Sequence, residues 1–176
     1  MNPRLIAVGV GPGDPELITL KGARLIREAE VVVTPVGDRS ETSIAQSIVA
    51  GLVDADRQQL LTQIYPMKKN PAEMEESWRA SALEVARLVR SGKTVAFVTI
   101  GDPFLYSTFL YLYRMLREHY PDVPVEIVPG ISSINAAAAV ADLPLGLAAD
   151  RIAILPATFE HDNLRPDVEE GAGGIG

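Results

Sequence analysis

The chain has 176 residues, enough for one ordinary domain or for one domain and part of a second. Hydrophobic residues make up 47% and charged residues 22%, a globular composition that excludes disordered, collagen-like and coiled-coil proteins. The formal net charge is −7. The absence of cysteine excludes disulfides and zinc–thiolate sites, and two histidines disfavour a multi-histidine metal site, so we expect no metal.

The charge pattern argues against nucleic acid and membrane partners. Residues 160–176 carry five acids and one arginine, whereas the remaining body is nearly balanced and has no basic stripe. The longest uncharged stretch, 127–141, contains Pro129 and Gly130 and is too short to span a bilayer. The N-terminus does not resemble a signal peptide. We therefore expect a cytoplasmic protein.

The first third of the chain predicts alternating strands and helices. A short apolar run that ends in glycines indicates a buried strand, and apolar residues at helical spacing indicate an amphipathic helix. The predicted elements are a strand at 5–10, a helix that includes Leu17, Leu20, Leu25 and Ile26, a strand at 31–33 that stops at Pro35, and a short helix at 43–53.

The strongest helix prediction covers residues 70–92. Asn70 is a good N-cap, Glu73 stands at a capping-box position, and Gly92 supplies the stop. The remaining predicted elements are a strand at 94–99, a helix at 105–118, a strand at 125–128, an alanine-rich helix at 133–141 and a strand at 151–155.

This alternation predicts an α/β fold, a mainly parallel sheet with flanking helices. We expect an N-terminal α/β domain over residues 1–148. A strand within residues 149–160 would begin a second α/β domain that has been cut short. Residues 161–176 are acidic and then glycine-rich without apolar periodicity, which predicts a disordered tail.

Three predicted strands end in small-residue loops that each open a helix. These loops are 9–14, 100–103 and 129–133. The carboxyl ends of parallel strands share one edge of a sheet, where open α/β sheets bind their ligands. Glycine lets the backbone approach a ligand, and helix N-termini offer free N–H groups. The sequence therefore predicts a ligand cleft at this edge.

The loop residues favour a neutral or cationic ligand. The chain has no P-loop, the first loop reads G-x-G-x-G, and Thr34-Pro35 stands where a dinucleotide-binding fold places its ribose-binding acid. Asp14 and Asp102 lie in the loops, which contain no lysine or arginine. A purely structural alternative is that both aspartates, and the pair Ser132-Ser133, cap helices. Because all three loops follow predicted strands in the same way, we favour a ligand site over purely structural caps.

Three motifs in these positions resemble a known family. The segment GVGPGDPELITLKGARLIREAEVVV resembles the first signature of the tetrapyrrole (corrin/porphyrin) methylases, VTIGDPFLYSTF the second, and VPGISSINAAAA the third. GDPFLYSTFLYLYRML and the later RIAILPATFE are most similar to the precorrin-2 and cobalt-factor II C(20)-methyltransferases. The resemblance covers about residues 4–160.

The resemblance implies a two-domain α/β methyltransferase that uses S-adenosylmethionine and releases S-adenosylhomocysteine. The implied reaction is methylation of the C(20) meso carbon of precorrin-2 or cobalt-factor II in cobalamin biosynthesis, by a homodimer. By motif position, the cofactor-binding residues would be Pro12, Ile100, Gly101, Asp102, Leu105, Ser132 and Ser133. The substrate pocket would add Gly13, Asp14, Tyr106, Ser107 and Thr108.

The resemblance assigns no catalytic base. Some relatives place an acid just after the second strand, where this chain has Pro35. Within the cofactor site, an aspartate such as Asp102 would be a suitable partner for a ligand that carries a sulfonium and an ammonium.

Other functions remain open at this stage. They are another methylase of the same superfamily, a nucleotide-dependent oxidoreductase, which the loop mismatches disfavour, and a folded fragment without catalysis. Family members continue into a second domain, which RPDVEEGAGGIG does not resemble. We therefore expect the 176-residue chain to bind cofactor weakly and to turn over little.

Overall fold

The computed structural model describes residues 2–37, 43–65 and 71–155. Within them, five parallel strands form one sheet, which confirms the predicted α/β class. The strands are β1 Leu5–Gly9, β2 Val31–Val36, β3 Gln59–Ile64, β4 Val95–Thr99 and β5 Val125–Val128. The helices are α1 Leu20–Glu28, α2 Ile44–Val49, α3 Pro71–Arg90, α4 Phe109–His119 and α5 Ser133–Ala141, and a 3-10 turn at Pro15–Leu17 precedes α1.

The strand order β3-β2-β4-β1-β5 places β1 between β4 and β5. Strands β1 and β4 are buried along their whole length, which explains their continuous apolar sequences. One face of the sheet packs with α3 and α4 through residues such as Phe97 and Phe109. The other face packs with α1 and α2 through residues such as Ile26 and Ile48. Helices therefore cover both faces of the central strands, β1 and β4, and leave the carboxyl ends of these strands open to the loops that follow them.

Specific residues set the helix ends. Thr19 caps α1, since its hydroxyl accepts a hydrogen bond from the Gly22 amide at 3.0 Å. Gly92 adopts φ +94° just after α3, and the Lys93 amide donates back to the Leu88 carbonyl. The predicted stop at Gly92 is therefore confirmed. The cap predicted at Asn70 lies outside the described residues, as does the side chain of Glu73.

The sheet differs from the sequence prediction at β2 and β3. Strand β3 was not predicted, because as an edge strand it is largely exposed and its core-facing side combines Leu61 with the polar Gln63. Strand β2 continues through Pro35, where we expected it to stop. The register between β2 and β4 ends at Val33, so Pro35 pairs only with β3. A proline is tolerated where one side of a strand is unpaired.

Two further sequence predictions are wrong. Residues 151–155 are exposed and form no strand, because nothing in the described part of the chain pairs with them. Leu20 was assigned to the apolar side of its helix, but it is 91% exposed at the first position of α1. The predicted disordered tail at 161–176 lies outside the described residues, so the structure gives it no test.

An ion-pair cluster joins β5 to the start of β1 and to α1. The Glu126 carboxylate accepts from Arg4 Nε at 2.9 Å and lies 2.7 Å from Lys21 Nζ. The hydrogen bond from Lys21 holds the pKa of Glu126 below its ordinary value of 4.5, with a smaller contribution from Arg4. Because the folded pKa is lowered, the pairs stabilise the fold above pH 4.5, and this stabilisation disappears as the pH falls through the folded value.

We expect Glu126→Gln to lower the free energy of unfolding at pH 7 by about 1 kcal/mol, since the cluster is partly exposed. The difference from the original chain should shrink below about pH 4.5. Urea unfolding at pH 7 and pH 3.5 measures both values. Glu28→Gln, which breaks only the exposed pair with Arg24, is the control and should cost about 0.5 kcal/mol or less. The prediction is contradicted if Glu126→Gln lowers the free energy of unfolding by the same amount at both pH values.

Candidate functional site

The three predicted loops follow adjacent strands and meet at the carboxyl edge of the sheet. Loop 1 (residues 10–14) follows β1, loop 2 (100–108) follows β4 and loop 3 (129–132) follows β5. The Gly101 amide donates to the Gly11 carbonyl at 2.8 Å, and these two residues form an isolated antiparallel bridge. The expectation that the loops share one edge is confirmed.

Glycines allow the three loops to approach one another at backbone distance. A Cβ atom on Gly9 would lie 2.6 Å from the Gly130 amide nitrogen and would also collide with the Gly101 carbonyl. A Cβ on Gly130 would meet the same Gly101 carbonyl and would lie 2.7 Å from the Gly9 Cα. No larger residue fits at Gly9 or Gly130 unless the backbone separates.

Asp102 connects loop 2 to loop 3. Its Oδ1 accepts from the Phe104 amide at 2.8 Å, and its Oδ2 accepts from the Gly130 amide at 3.0 Å. The first bond forms a local turn, as the capping alternative predicted. The second bond spans two loops and could not be read from the sequence, since spacing does not reveal the hydrogen-bond partner of a side chain.

Loop 3 brings Ser132 next to loop 2. A Cβ on Gly101 would approach only the Ser132 Cα, at 4.0 Å, and would otherwise point into open space. The Ser132 hydroxyl donates to Asn135 Oδ1 at 2.8 Å and makes no bond to a backbone amide of α5. Ser133 is the exposed first residue of α5. The pair therefore stands at the helix start, but its hydroxyls do not cap it.

The second half of loop 2 differs from the predicted helix. Helix α4 begins at Phe109, not at Leu105. Leu105 is half-buried and lies in a turn, in which its own amide donates to the Asp102 carbonyl. Tyr106 adopts φ +49°, a left-handed conformation that stops a helix from starting earlier. The Phe109 amide donates to Ser107 Oγ at 3.1 Å, so Ser107 supplies an acceptor for the first amide of α4.

The residues expected to line a substrate pocket divide into internal and exposed groups. Ser107 is buried and shares a 2.8 Å hydrogen bond with Thr99, which places its hydroxyl inside the fold. Thr108 is half-buried. Tyr106 is 65% exposed, and its hydroxyl is 3.5 Å from the Ile154 carbonyl. Tyr106 is therefore the aromatic residue of this group that a ligand can reach.

Loop 1 is the most open of the three. Pro12 is half-buried, whereas Gly13 and Asp14 are exposed. A Cβ on Gly13 would have no atom within 4 Å. Asp14 Oδ1 accepts from the Glu16 amide at 2.8 Å and so caps the 3-10 turn, as the structural alternative predicted.

Apolar side chains are exposed beside the loops. Ile100 is 42% exposed, and Phe104 is 49% exposed while its ring packs near those of Phe109 and Tyr113. Sequence reasoning missed Phe104, although its place directly after Asp102-Pro103 could have indicated it. This edge of the sheet therefore combines exposed apolar side chains with glycine backbone that a ligand could approach.

Neither a metal site nor a membrane span occurs in the part of the chain that the structure describes. There, no three histidine, aspartate or glutamate side chains group closely enough to hold an ion. No described helix combines the length and apolar character needed to cross a membrane.

The fold defines an α/β protein with three loops at the carboxyl ends of adjacent parallel strands, the position at which open α/β sheets bind their ligands. The sequence profile of the tetrapyrrole (corrin/porphyrin) methylases matches residues 4–172. The chain therefore belongs to this family. The match continues beyond residue 160, where the recognisable motifs end.

Curated relatives carry names that fit the family. A Methanocaldococcus jannaschii protein named probable cobalt-precorrin-2 C(20)-methyltransferase is 39% identical over 87% of this chain and 64% of its own length. The Salmonella typhimurium cobalt-precorrin-2 C(20)-methyltransferase is 35% identical over 97% of this chain and 70% of its own length. The chain thus spans about two thirds of these relatives.

Solved structures share the fold. A cobalt-precorrin-4 methyltransferase aligns with a TM-score of 0.61 at 30% identity, over 84% of this chain and 54% of that one. A Thermus thermophilus uroporphyrin-III C-methyltransferase in complex with S-adenosylhomocysteine aligns with a TM-score of 0.56 at 30% identity, over 83% of this chain and 54% of its own. The chain spans just over half of each.

Proposed function

We propose that this chain binds S-adenosylmethionine between its three loops and methylates the C(20) meso carbon of precorrin-2 or of its cobalt-containing counterpart. The observation that carries the proposal is the convergence of the three motif loops, held by the Gly11–Gly101 bridge and the Asp102–Gly130 hydrogen bond. The names of the relatives described above support the choice of C(20). Whether the substrate carries cobalt is left to the experiment.

The loops fit the proposed cofactor. Gly101 and Gly13 each present a side that no side chain occupies, so a ligand can reach the backbone there. Ile100 and Tyr106 expose apolar surface beside these glycines. The loops contain no lysine or arginine that would repel a positively charged ligand. We propose that Pro12, Ile100, Gly101, Leu105, Ser132 and Ser133 contact the cofactor and that Gly13, Asp14, Tyr106 and Thr108 face the substrate.

The proposed mechanism depends on alignment. When bound, S-adenosylmethionine supplies an electrophilic methyl group on sulfur, and the sulfide that remains needs no proton to leave. The chain's residues have to hold the donor and the ring carbon in line, an arrangement that can lower a barrier by roughly 7–11 kcal/mol. Backbone-to-backbone packing at Gly9, Gly101 and Gly130 holds the loops close together, which supports this role. We assign no residue to the removal of the meso proton.

A cleft variant tests the cofactor site. We expect Gly101→Ala to weaken S-adenosylhomocysteine binding by about tenfold or more, because its methyl group would enter the open space beside Ser132. The left-handed φ of +65° adds a strain of roughly 1–2 kcal/mol. Isothermal titration calorimetry measures the affinity, and thermal unfolding measures the strain.

The matched control is Gly92→Ala, which has a comparable left-handed φ of +94° and equally open space but lies after α3. It should lose stability to a similar extent and keep its affinity. If the Gly101→Ala variant bound S-adenosylhomocysteine as tightly as the original chain does, the ligand would have to bind elsewhere.

Methyl transfer is tested with donor carrying a ¹³C-methyl group and with precorrin-2 and cobalt-factor II in parallel. A labelled methyl signal at C(20) supports the proposal and identifies the substrate. Label at another ring position would favour a different methylase of the family, the second candidate function. Cofactor binding without transfer to either tetrapyrrole would support the alternative of a folded chain without catalysis.

We also propose a homodimer in the cytoplasm. Exposed apolar side chains at the end of α5 and in the segment that follows it support an assembly of copies: Val140, Leu143, Leu145, Leu147, Ile152, Ile154 and Leu155. The cytoplasmic location is supported only by the sequence. The division into a domain at 1–148 and the start of a second at 149–160 likewise remains a proposal. Sedimentation of the purified chain measures the oligomeric state.

A further inference from the structure

We infer that Asp102 is a positioning residue that fixes loop 3 against loop 2, and that it is not the counter-ion of a positively charged ligand. This inference rests on the proposed cofactor site. It replaces the expectation that the carboxylate pairs with the sulfonium or the ammonium group.

The inference rests first on the hydrogen bonds of the Asp102 carboxylate. Both carboxylate oxygens already accept a backbone amide, one from Phe104 at 2.8 Å and one from Gly130 at 3.0 Å. Bonds from N–H groups to a carboxylate are stronger than those between neutral groups. The second bond joins residues 28 positions apart in sequence. It therefore determines where one loop lies relative to the other.

The inference rests secondly on the position of Gly130 in loop 3. Gly130 lies between the end of β5 at Val128 and the start of α5 at Ser133, outside both the strand ladder and the helix. Its amide finds its acceptor in Asp102, so loss of the carboxylate leaves a partly buried donor without that partner. Two residues further on, Ser132 borders the open side of Gly101. A shift of loop 3 would change the width of the cleft itself.

The hydrogen bonds of Asp102 and the position of Gly130 predict how a substitution at Asp102 changes the affinity for different ligands. A counter-ion interacts with one charged group of a ligand, and its loss affects only ligands that carry the group. A positioning residue changes the shape of the cleft, and its loss affects every ligand that fills it. Three ligands separate these cases: S-adenosylmethionine has the sulfonium and the ammonium, S-adenosylhomocysteine only the ammonium, and 5′-methylthioadenosine neither.

The test variant is Asp102→Asn. It retains only one side-chain oxygen, so one of the Phe104 and Gly130 amides keeps its acceptor and the other meets an NH₂ group. The control is Asp54→Asn, because Asp54 forms the same kind of local turn with the Asp56 amide at 3.1 Å and lies far along the chain from the loops. Calorimetry measures the affinities of both variants for the three ligands.

We expect Asp102→Asn to weaken the binding of all three ligands by a similar factor of about ten or more. We expect Asp54→Asn to leave all three affinities unchanged. Weaker binding of S-adenosylmethionine alone would assign the carboxylate to the sulfonium and overturn the inference. Weaker binding of both charged ligands, with 5′-methylthioadenosine unaffected, would assign it to the ammonium and overturn it equally. Unchanged affinities would also overturn it.

A second measurement needs neither ligand nor variant. In the original chain labelled with ¹⁵N and ¹³C, a scalar coupling through the hydrogen bond should connect the Gly130 amide nitrogen to the Asp102 carboxylate carbon. Its absence would overturn the inference even if Asp102→Asn fails to fold. If the original chain binds none of the three ligands, the proposed function fails, and this coupling still decides whether Asp102 joins the loops.

Discussion

Gly130→Ala is expected to lower the free energy of unfolding by roughly 3 kcal/mol or more and to abolish S-adenosylhomocysteine binding. The added Cβ would collide with the Gly101 carbonyl and lie 2.7 Å from the Gly9 Cα. Both groups belong to the backbone, so no side chain can rotate away. Relief requires that loop 3 leave the other two loops, which opens the cleft. Urea unfolding and calorimetry measure the two losses.

Gly51→Ala is the matched control for this substitution. A Cβ there has no atom within 4 Å, and Gly51 has no left-handed φ. We expect a change of about 0.5 kcal/mol or less and unaltered affinity. If Gly130→Ala proved as stable as Gly51→Ala and still bound the ligand, the loops would not be packed backbone to backbone, and the proposed cleft would lose its structural basis.

The convergence of the three loops at the candidate site was predictable from sequence, because it depends on the order of elements. An apolar strand, a glycine-containing loop and a helix recur three times, and parallel pairing places all three loops at one edge. The neighbouring positions of β4, β1 and β5 then bring Gly11, Gly101 and Gly130 together. Chain order alone does not show that these three strands are adjacent.

The details of the site depend on interactions that a one-dimensional pattern does not record. Apolar residues at helical spacing predicted a helix from Leu105, but Tyr106 takes a left-handed φ of +49° and delays the helix to Phe109. Asp102 was predicted as a helix cap or as a charge partner of a ligand, and neither prediction included a contact with a second loop. Its bond to Gly130 links residues 28 positions apart and becomes visible only in three dimensions. Edge strand β3 was missed for a related reason, since its pairing partner, not its own sequence pattern, makes it a strand.

Gln58→Ala is expected to cost about 3 kcal/mol of unfolding free energy without changing the affinity of the folded chain for S-adenosylhomocysteine. The buried Gln58 side chain donates to the Ile26 and Ala29 carbonyls, each at 2.7 Å, and accepts from the Asp54 amide at 2.8 Å. It therefore satisfies three backbone groups where the end of α1 meets the segment that leads into β3.

Removal of this side chain leaves all three backbone groups without their partner, and each such group costs about 1–3 kcal/mol when it stays buried. Water that enters the space left by the side chain would recover part of the loss, which is why we expect about 3 kcal/mol and not the full sum. The adjacent Gln59 is exposed, so Gln59→Ala should cost about 0.5 kcal/mol or less. Gln58→Glu provides a sharper comparison, because a carboxylate cannot donate to the two carbonyls. If Gln58→Glu were as stable as the original chain, the bonds from Gln58 would not hold α1 against the β3 segment.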